Sequence, residues 1–141
     1  MAVLAINGGR KVRTDPFPRW PIWDETDCAA LVEVCNSGHW GCTSGNKVQE
    51  FEEKFAAYHD CRHGVCVCTA TIALVVALQA MDIGPGDEVI VTPYTFIASA
   101  SSILQANAVP VFVDIDPDTY NIDPSKIEAA VTDKTRAIMA V

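Results

Sequence analysis

The sequence has no apolar run that approaches the roughly 20 residues a helix needs to cross a membrane, which argues against a membrane-spanning protein. Basic residues are also few: 10 lysines and arginines accompany 18 aspartates and glutamates, for a net charge of −8. Because nucleic-acid binding depends on lysine and arginine contacts to phosphate, this balance argues against nucleic acid as a partner. The N-terminus places a short apolar patch before its basic residues, the reverse of a secretory signal, so we expect a cytoplasmic protein.

Two common nucleotide-binding motifs are missing or misplaced. No G-x-x-x-x-G-K-S/T segment occurs, which argues against a P-loop nucleotide enzyme. Gly84 and Gly86 lie between a helical pattern and the strand-like run "EVIV", whereas a dinucleotide fingerprint needs a strand, then the glycines, then a helix. The two glycines therefore predict a turn.

Neither zinc nor calcium is predicted to bind, although both have partial sequence signals. His63 and Cys66 have an H-x-x-C spacing, but Cys66 and Cys68 fall within an apparent buried strand, which favours packing over zinc. Asp114 opens a calcium-like loop in "DIDPDTYNIDPS", but Thr119 stands where that loop needs glycine, and its last position is not glutamate. Solvated turns at the end of a strand account better for these aspartates.

Cysteine is present in six copies, and in a reducing cytoplasm we expect free thiols rather than a disulfide framework. The six are Cys28, Cys35, Cys42, Cys61, Cys66 and Cys68. Cys28 and Cys35 lie seven residues apart on one face of a predicted helix, so we expect them to pack there as small apolar side chains.

The chain length suits one domain of ordinary size, which we divide into an extended arm over residues 1–23 and a domain over residues 24–141. Three prolines among aromatic residues argue against a regular helix in the arm. A first helix is predicted to begin near Asp24 and to end at Gly38, which can take the left-handed conformation. A second helix is predicted over "KVQEFEEKFAAYH", whose apolar residues follow one stripe.

From residue 63 onward, the apolar runs "GVCVC", "EVIVT", "PVFVD" and "RAIMAV" alternate with the helical patterns "TIALVVALQAM", "FIASASSILQAN" and "PSKIEAAV". Unbroken apolarity is typical of strands covered on both faces, so the pattern predicts an α/β domain with a mostly parallel sheet flanked by helices. In the last helix, Asp123 is the predicted N-cap and Pro124 the first residue. Because the chain ends within the last predicted strand, we expect this domain to be incomplete.

The segment "VCTATIAL" joins the first predicted strand to its helix and carries two hydroxyls, Thr69 and Thr71, within an apolar run. A helix N-terminus presents unpaired N–H groups and a partial positive charge, so this turn could bind a phosphate. Thr69 could equally be a simple N-cap. Phe96 follows the next strand at the edge where ligands bind in open α/β sheets, and could stack on a flat cofactor. The alternative is that Phe96 and Tyr94 pack in the core.

The order and spacing of these segments resemble the DegT/DnrJ/EryC1/StrS aminotransferases from about Gly38 to the last residue. The resemblance rests on "IGPGDEVIV", the "TF" pair and "VFVDID". Members are PLP-dependent enzymes of fold type I that move an amino group from glutamate or glutamine to a keto-sugar or cyclitol, in secondary-metabolite or cell-surface sugar biosynthesis. The resemblance implies part of the large, aspartate aminotransferase-like domain, and a homodimer for the full-length protein. The N-terminal "INGGRKVRTDPFPRWP" looks most like the branch acting on scyllo-inosose-type cyclitols and aminohydroxybenzoate precursors.

The resemblance also implies roles for residues of the "VCTATIAL" segment and of the loop after the next strand. Ala70 and Thr71, with Thr69 beside them, match the pair that holds the PLP phosphate in the family. Phe96 matches the aromatic residue that stacks on the pyridine ring. These four residues are the predicted cofactor-binding set.

The loop containing Trp40, Ser44 and Gly45 resembles a segment that lines the substrate entrance. The family's Schiff-base lysine and the aspartate on the pyridine nitrogen lie further downstream, and neither Lys126 nor Lys134 matches that lysine. We therefore expect these 141 residues alone not to catalyse transamination. Two alternatives stay open: a non-catalytic relative that serves as a binding or regulatory module, and a small α/β protein that binds another phosphorylated ligand at the same turn.

Overall fold

The computed structural model describes residues 3–141, which form two compact units that divide between Glu50 and Phe51. The predicted arm includes residues 1 and 2, which lie outside the described residues. In chain order the elements are a 3-10 helix Ala5–Asn7, α1 Glu25–Ser37, α2 Lys47–Tyr58, α3 Ala70–Ala80, β1 Glu88–Val91, α4 Ala98–Gln105, β2 Val109–Phe112, α5 Pro124–Ala130 and β3 Thr135–Met139. None of the helices within the described residues is long and apolar enough to span a bilayer.

Helix α1 begins and ends at the predicted residues. The Asp24 carboxylate accepts the Thr26 N–H at 2.8 Å, while the Asp27 carboxylate accepts the Asp24 N–H at 2.9 Å. The Thr26 hydroxyl and amide hydrogen-bond the Asp24 carboxylate and lower its pKa below the ordinary value. Gly38 ends the helix at φ 70°, a left-handed conformation that glycine adopts without steric cost.

The prediction that Cys28 and Cys35 pack as small apolar side chains is wrong. Both thiols are exposed, and α1 has no buried residue. A spacing of seven places two residues on one helical face, but it does not supply a surface against which that face can pack. All six cysteines are free thiols, and all are exposed.

The unit that begins at Phe51 contains a three-stranded parallel sheet in the order β2-β1-β3, as expected for an α/β domain. Val91 of the central strand pairs in register with Phe112 on one side and Met139 on the other. Helices α3 and α4 pack against each other, and α4 also packs on β1 and β2. The core of this unit consists of Leu78, Ile83, Val89, Val91, Ile103, Ala106 and Ala108.

Among the three strands of the described residues, complete burial of side chains is limited to the central strand, β1. Val89, Ile90 and Val91 are completely buried, whereas Phe112 of β2 and Ile138 of β3 are exposed. Unbroken apolar sequence predicted burial on both faces for all of the strands. Side chains of a strand point to the two faces of the sheet, and in the described part of the chain the faces of the outer strands are only partly covered.

The strand predicted at "GVCVC" is not formed. Residues 64–68 pair with none of the three strands of the described chain, Val65 is 77% exposed, and Cys66 and Cys68 are exposed. The inference that these two cysteines lie in a buried strand is therefore wrong as well. A strand requires a neighbour to complete its ladder, and here the backbone instead contacts α2, where the Cys66 N–H donates to Glu52 at 2.7 Å.

Candidate functional site

Both predicted cofactor-binding segments lie toward the carboxyl edge of the parallel sheet. Residues 92–97 leave β1 at its carboxyl end and lead directly into α4. Helix α3 connects through the turn at residues 81–87 to the amino end of β1, and Leu78 near its C-terminus packs in the core with Val89. From this connection we expect its N-terminus, with Thr69–Thr71, toward the same edge as Phe96. In open α/β sheets this edge is the usual place for ligands.

Thr69 is the N-cap of α3, as one of the two sequence interpretations predicted. Its backbone is extended, at φ −153° and ψ 158°, and its Oγ1 accepts the Ile72 N–H at 3.2 Å. The Ala73 N–H donates to the Thr69 carbonyl at 3.0 Å. The N–H groups of Ala70 and Thr71 come before the first intrahelical bond and have no acceptor within the helix.

Capping and anion binding are compatible at this helix end. Thr69 is exposed and Thr71 is half-buried, so an anion can reach the turn from solvent. The Thr69 oxygen acts as an acceptor toward the helix, which leaves its hydroxyl proton available for a ligand. Two amides, two hydroxyls and the positive end of the helix dipole together favour a phosphate.

Phe96 is presented to solvent rather than packed. Its side chain is 77% exposed and that of Tyr94 is 63% exposed, so the interpretation of these two aromatics as core residues is wrong. The loop that carries them is well held: the Ser99 N–H donates to the Phe96 carbonyl at 3.0 Å, and the Thr95 and Ser99 hydroxyls lie 2.8 Å apart. An exposed ring on a fixed loop is suited to stacking on a flat ligand.

A cleft of about 830 Å³ adjoins the Thr69 turn, and the sequence analysis did not predict it. Its walls come from α2, from residues 61–67 and from the start of α3, including Thr69 and Ala70. Phe51 and Phe55 line it with stacked rings whose centroids are 5.5 Å apart. The stripe of aromatics on α2 was the available signal, but which segment would face that stripe depends on the tertiary structure.

The loop predicted to line a substrate entrance lies in the unit that ends at Glu50. Ser44 and Gly45 line a smaller cleft, of about 230 Å³, together with residues of α1. Their N–H groups donate to the Gly41 carbonyl at 3.2 and 2.8 Å, which closes a tight turn. Trp40 does not line this cleft; its indole N–H donates to the Cys35 carbonyl at 3.2 Å and its side chain is 75% exposed.

The aspartates of the calcium-like loop cap backbone turns, as predicted. The Asp116 carboxylate accepts the N–H groups of Thr119 and Asp118, each at 2.9 Å. These two hydrogen bonds lower the pKa of Asp116 below its ordinary value, and the bond from Thr119 has the larger effect. Among residues 3–141, no group of three or more histidine, cysteine, aspartate or glutamate side chains is arranged to hold a metal ion.

The amine of Lys126 is engaged in local contacts. It lies 3.2 Å from Asp123 and 4.0 Å from Asp114, and it donates to the Ile115 carbonyl at 3.4 Å. These contacts tie the start of α5 to the chain after β2.

Comparison with known proteins identifies similar sequences and similar structures. An L-glutamine:2-deoxy-scyllo-inosose aminotransferase of Streptomyces paromomycinus is 42% identical over 143 residues, which cover 98% of this chain and 34% of the relative. The crystal structure of 3-amino-5-hydroxybenzoic acid synthase matches 91% of this chain and 33% of its own, with a TM-score of 0.85 and 43% identity. The structure of ntda from Bacillus subtilis, with bound cofactor PMP, matches 93% of this chain and 31% of its own, with a TM-score of 0.79 and 35% identity.

These matches confirm the predicted fold, since the similar structures are PLP fold type I aminotransferases. The chain spans about a third of the length of the relatives it matches. The model of the DegT/DnrJ/EryC1/StrS aminotransferase family matches residues 21–141. With residues 21–141 matched by that model, and with a parallel sheet flanked by helices, the chain belongs to the DegT/DnrJ/EryC1/StrS aminotransferase family.

Proposed function

We propose that this chain supplies the phosphate-binding and ring-stacking part of a PLP-dependent aminotransferase that aminates a keto-sugar or cyclitol, with glutamate or glutamine as the amino donor. The observation that carries the proposal is the exposed N-terminus of α3, where the amides of Ala70 and Thr71 have no intrahelical acceptor. Family membership makes PLP the phosphate-bearing ligand that suits this turn.

The residues at the turn fit a phosphate ester. Ala70 and Thr71 donate backbone N–H groups, and the hydroxyls of Thr69 and Thr71 add donors at the positive end of an 11-residue helix. Phe96 offers an exposed ring at the same edge of the sheet. When bound, PLP supplies the electron sink that amino transfer requires. The role proposed for this chain is to hold the cofactor phosphate, to orient the cofactor ring and to exclude water from one face of that ring.

The substrate assignment rests on the named relatives. The Streptomyces paromomycinus relative is an L-glutamine:2-deoxy-scyllo-inosose aminotransferase, and others share that name. These names support a cyclitol ketone as acceptor and glutamine as donor for the present protein. The loop with Trp40, Ser44 and Gly45 is proposed to line the substrate entrance. A cytoplasmic homodimer is part of the same proposal.

The experiment uses the protein expressed from its complete reading frame, purified and titrated with PLP. Saturable binding with an altered cofactor absorbance, followed by amination of 2-deoxy-scyllo-inosose in the presence of glutamine, is the expected result. Binding of PLP without turnover on any keto-sugar or cyclitol tested would favour a non-catalytic relative. Binding of inorganic phosphate but not of PLP would favour the other alternative, a protein for a different phosphorylated ligand.

A further inference from the structure

The segment that leads into the Thr69 turn contacts α2. Residues 61–68 run directly into the cap at Thr69, and within the described part of the chain they pair with no strand. Their backbone hydrogen bonds to α2 hold them against that helix.

Three contacts join this segment to α2. The Cys61 N–H donates to the Ala56 carbonyl at 2.8 Å, and the Cys66 N–H donates to the Glu52 carboxylate at 2.7 Å. Gly64 approaches α2 so closely that a Cβ there would lie 2.6 Å from the Glu52 carbonyl oxygen. Glu52 thus contributes to two of the three contacts, with its side chain and with its backbone.

The contact at Cys66 restricts where the phosphate turn can lie. Thr69 follows Cys66 by three positions, a stretch that spans at most about 10 Å when extended. Glu52, Gly64 and Thr69 all line the same 830 Å³ cleft, so the contact and the turn adjoin one space. Glu52 is half-buried, and Cys66 follows it by 14 positions, a stretch that includes the end of α2.

We propose that Glu52 is a positioning residue for the cofactor-phosphate turn, acting through its hydrogen bond to the Cys66 N–H, and that Gly64 is required because only glycine allows α2 to approach this closely. The inference rests on the proposed function, since the ligand held at the turn is the PLP phosphate. It assigns to α2 a role in cofactor binding although the helix itself carries none of the predicted phosphate donors.

The test compares Glu52→Ala and Glu52→Gln in the protein expressed from its complete reading frame, with Glu128→Ala on α5 as the matched control. Glutamine can still accept the Cys66 N–H, whereas alanine cannot. In the cofactor-free protein, we expect Glu52→Ala to speed amide hydrogen exchange in residues 64–72 and to leave residues 100–106 unchanged. We expect the PLP dissociation constant to rise about tenfold in Glu52→Ala and to stay within about threefold of the wild type in Glu52→Gln.

A second variant, Gly64→Ala, is expected to give the same pattern as Glu52→Ala, because the added methyl group forces α2 and the segment apart. Unchanged exchange in residues 64–72 of Glu52→Ala would overturn the inference, as would an unchanged dissociation constant for PLP. A uniform loss of protection over the whole domain, without rescue by glutamine, would show a general structural role and would also overturn it. If the wild-type protein binds no PLP, the proposed function fails, and that result is separate from the exchange data.

Discussion

Replacing Thr69 with aspartate separates its role as the N-cap of α3 from its proposed role in binding the cofactor phosphate. Aspartate is as good an N-cap as threonine or better, so it can accept the Ile72 N–H that Thr69 Oγ1 now accepts at 3.2 Å. We therefore expect the free energy of unfolding of the cofactor-free protein to change by less than about 0.5 kcal/mol in Thr69→Asp. Thr69→Ala lacks the cap and is expected to lose about 1 kcal/mol.

The effect of the same aspartate on cofactor binding follows from its charge. Thr69 is exposed, so the water-like value applies, about 1 kcal/mol for each pair of unit charges at 4 Å. Repulsion between the new carboxylate and a phosphate with about two negative charges then weakens PLP binding by about 2 kcal/mol. This corresponds to about a thirtyfold rise in the PLP dissociation constant. The repulsion is expected to weaken as salt is added, because the site is open to solvent.

The assays are urea unfolding of the cofactor-free protein and titration with PLP, followed by absorbance. Asn107→Asp is the control, because it adds the same charge at an exposed position just after α4, toward the amino edge of the sheet. The control is expected to bind PLP as the wild type does. If Thr69→Asp also bound PLP with unchanged affinity, the assignment of the phosphate to this turn would be refuted.

Three other perturbations test the core, the caps and the absence of a matching lysine. Ile103→Ala, which truncates a fully buried side chain, should lower the free energy of unfolding by about 2–5 kcal/mol in urea titrations; a loss well below that range would contradict the packing described. The pKa of Asp123 is lowered by hydrogen bonds from the Ser125 hydroxyl and amide, so its contribution to stability is complete above the ordinary carboxyl pKa and is lost as pH falls through the lower folded value. Asp123→Asn should therefore flatten the acid end of the stability profile below about pH 4, which urea midpoints from pH 2 to 7 would show. Borohydride reduction of these 141 residues with PLP should leave neither Lys126 nor Lys134 stoichiometrically modified in peptide mass spectra, and a single complete adduct with turnover of glutamate would disprove this.

The capped helix explains why the proposed phosphate site is difficult to distinguish from an ordinary helix start in the sequence. A threonine before an apolar helical run is what capping requires, and the structure shows that Thr69 does cap α3. The exposure of Thr69 leaves the turn open to a ligand, and exposure depends on what the rest of the chain leaves uncovered. The phosphate contact at Ala70 and Thr71 is implied by the family resemblance and stays a prediction.

Local sequence signals are sufficient to predict several helix ends and the three strands of the sheet. Asp123 caps α5, Pro124 opens it, and Gly38 ends α1 with a positive φ, as predicted. Helix α1 begins at the predicted place, and Asp24 is its N-cap. The runs "EVIV", "PVF" and "RAIM" lie within strands that pair in parallel. Caps and glycine conformations depend on atoms within about four residues, so they can be inferred without knowing what the segment packs against.

Tertiary contacts, which the sequence does not show, set which apolar segments are covered and what contacts the segment before Thr69. The apolar run at residues 64–68 contacts α2 instead of a strand, Phe96 is exposed, and Glu52 reaches the Cys66 N–H across 14 residues of chain. Each of these outcomes depends on a partner distant in sequence. Periodicity and propensity describe a segment's own preference, but the choice of partner is made when the segments meet, because burial and hydrogen bonding are properties of the contact.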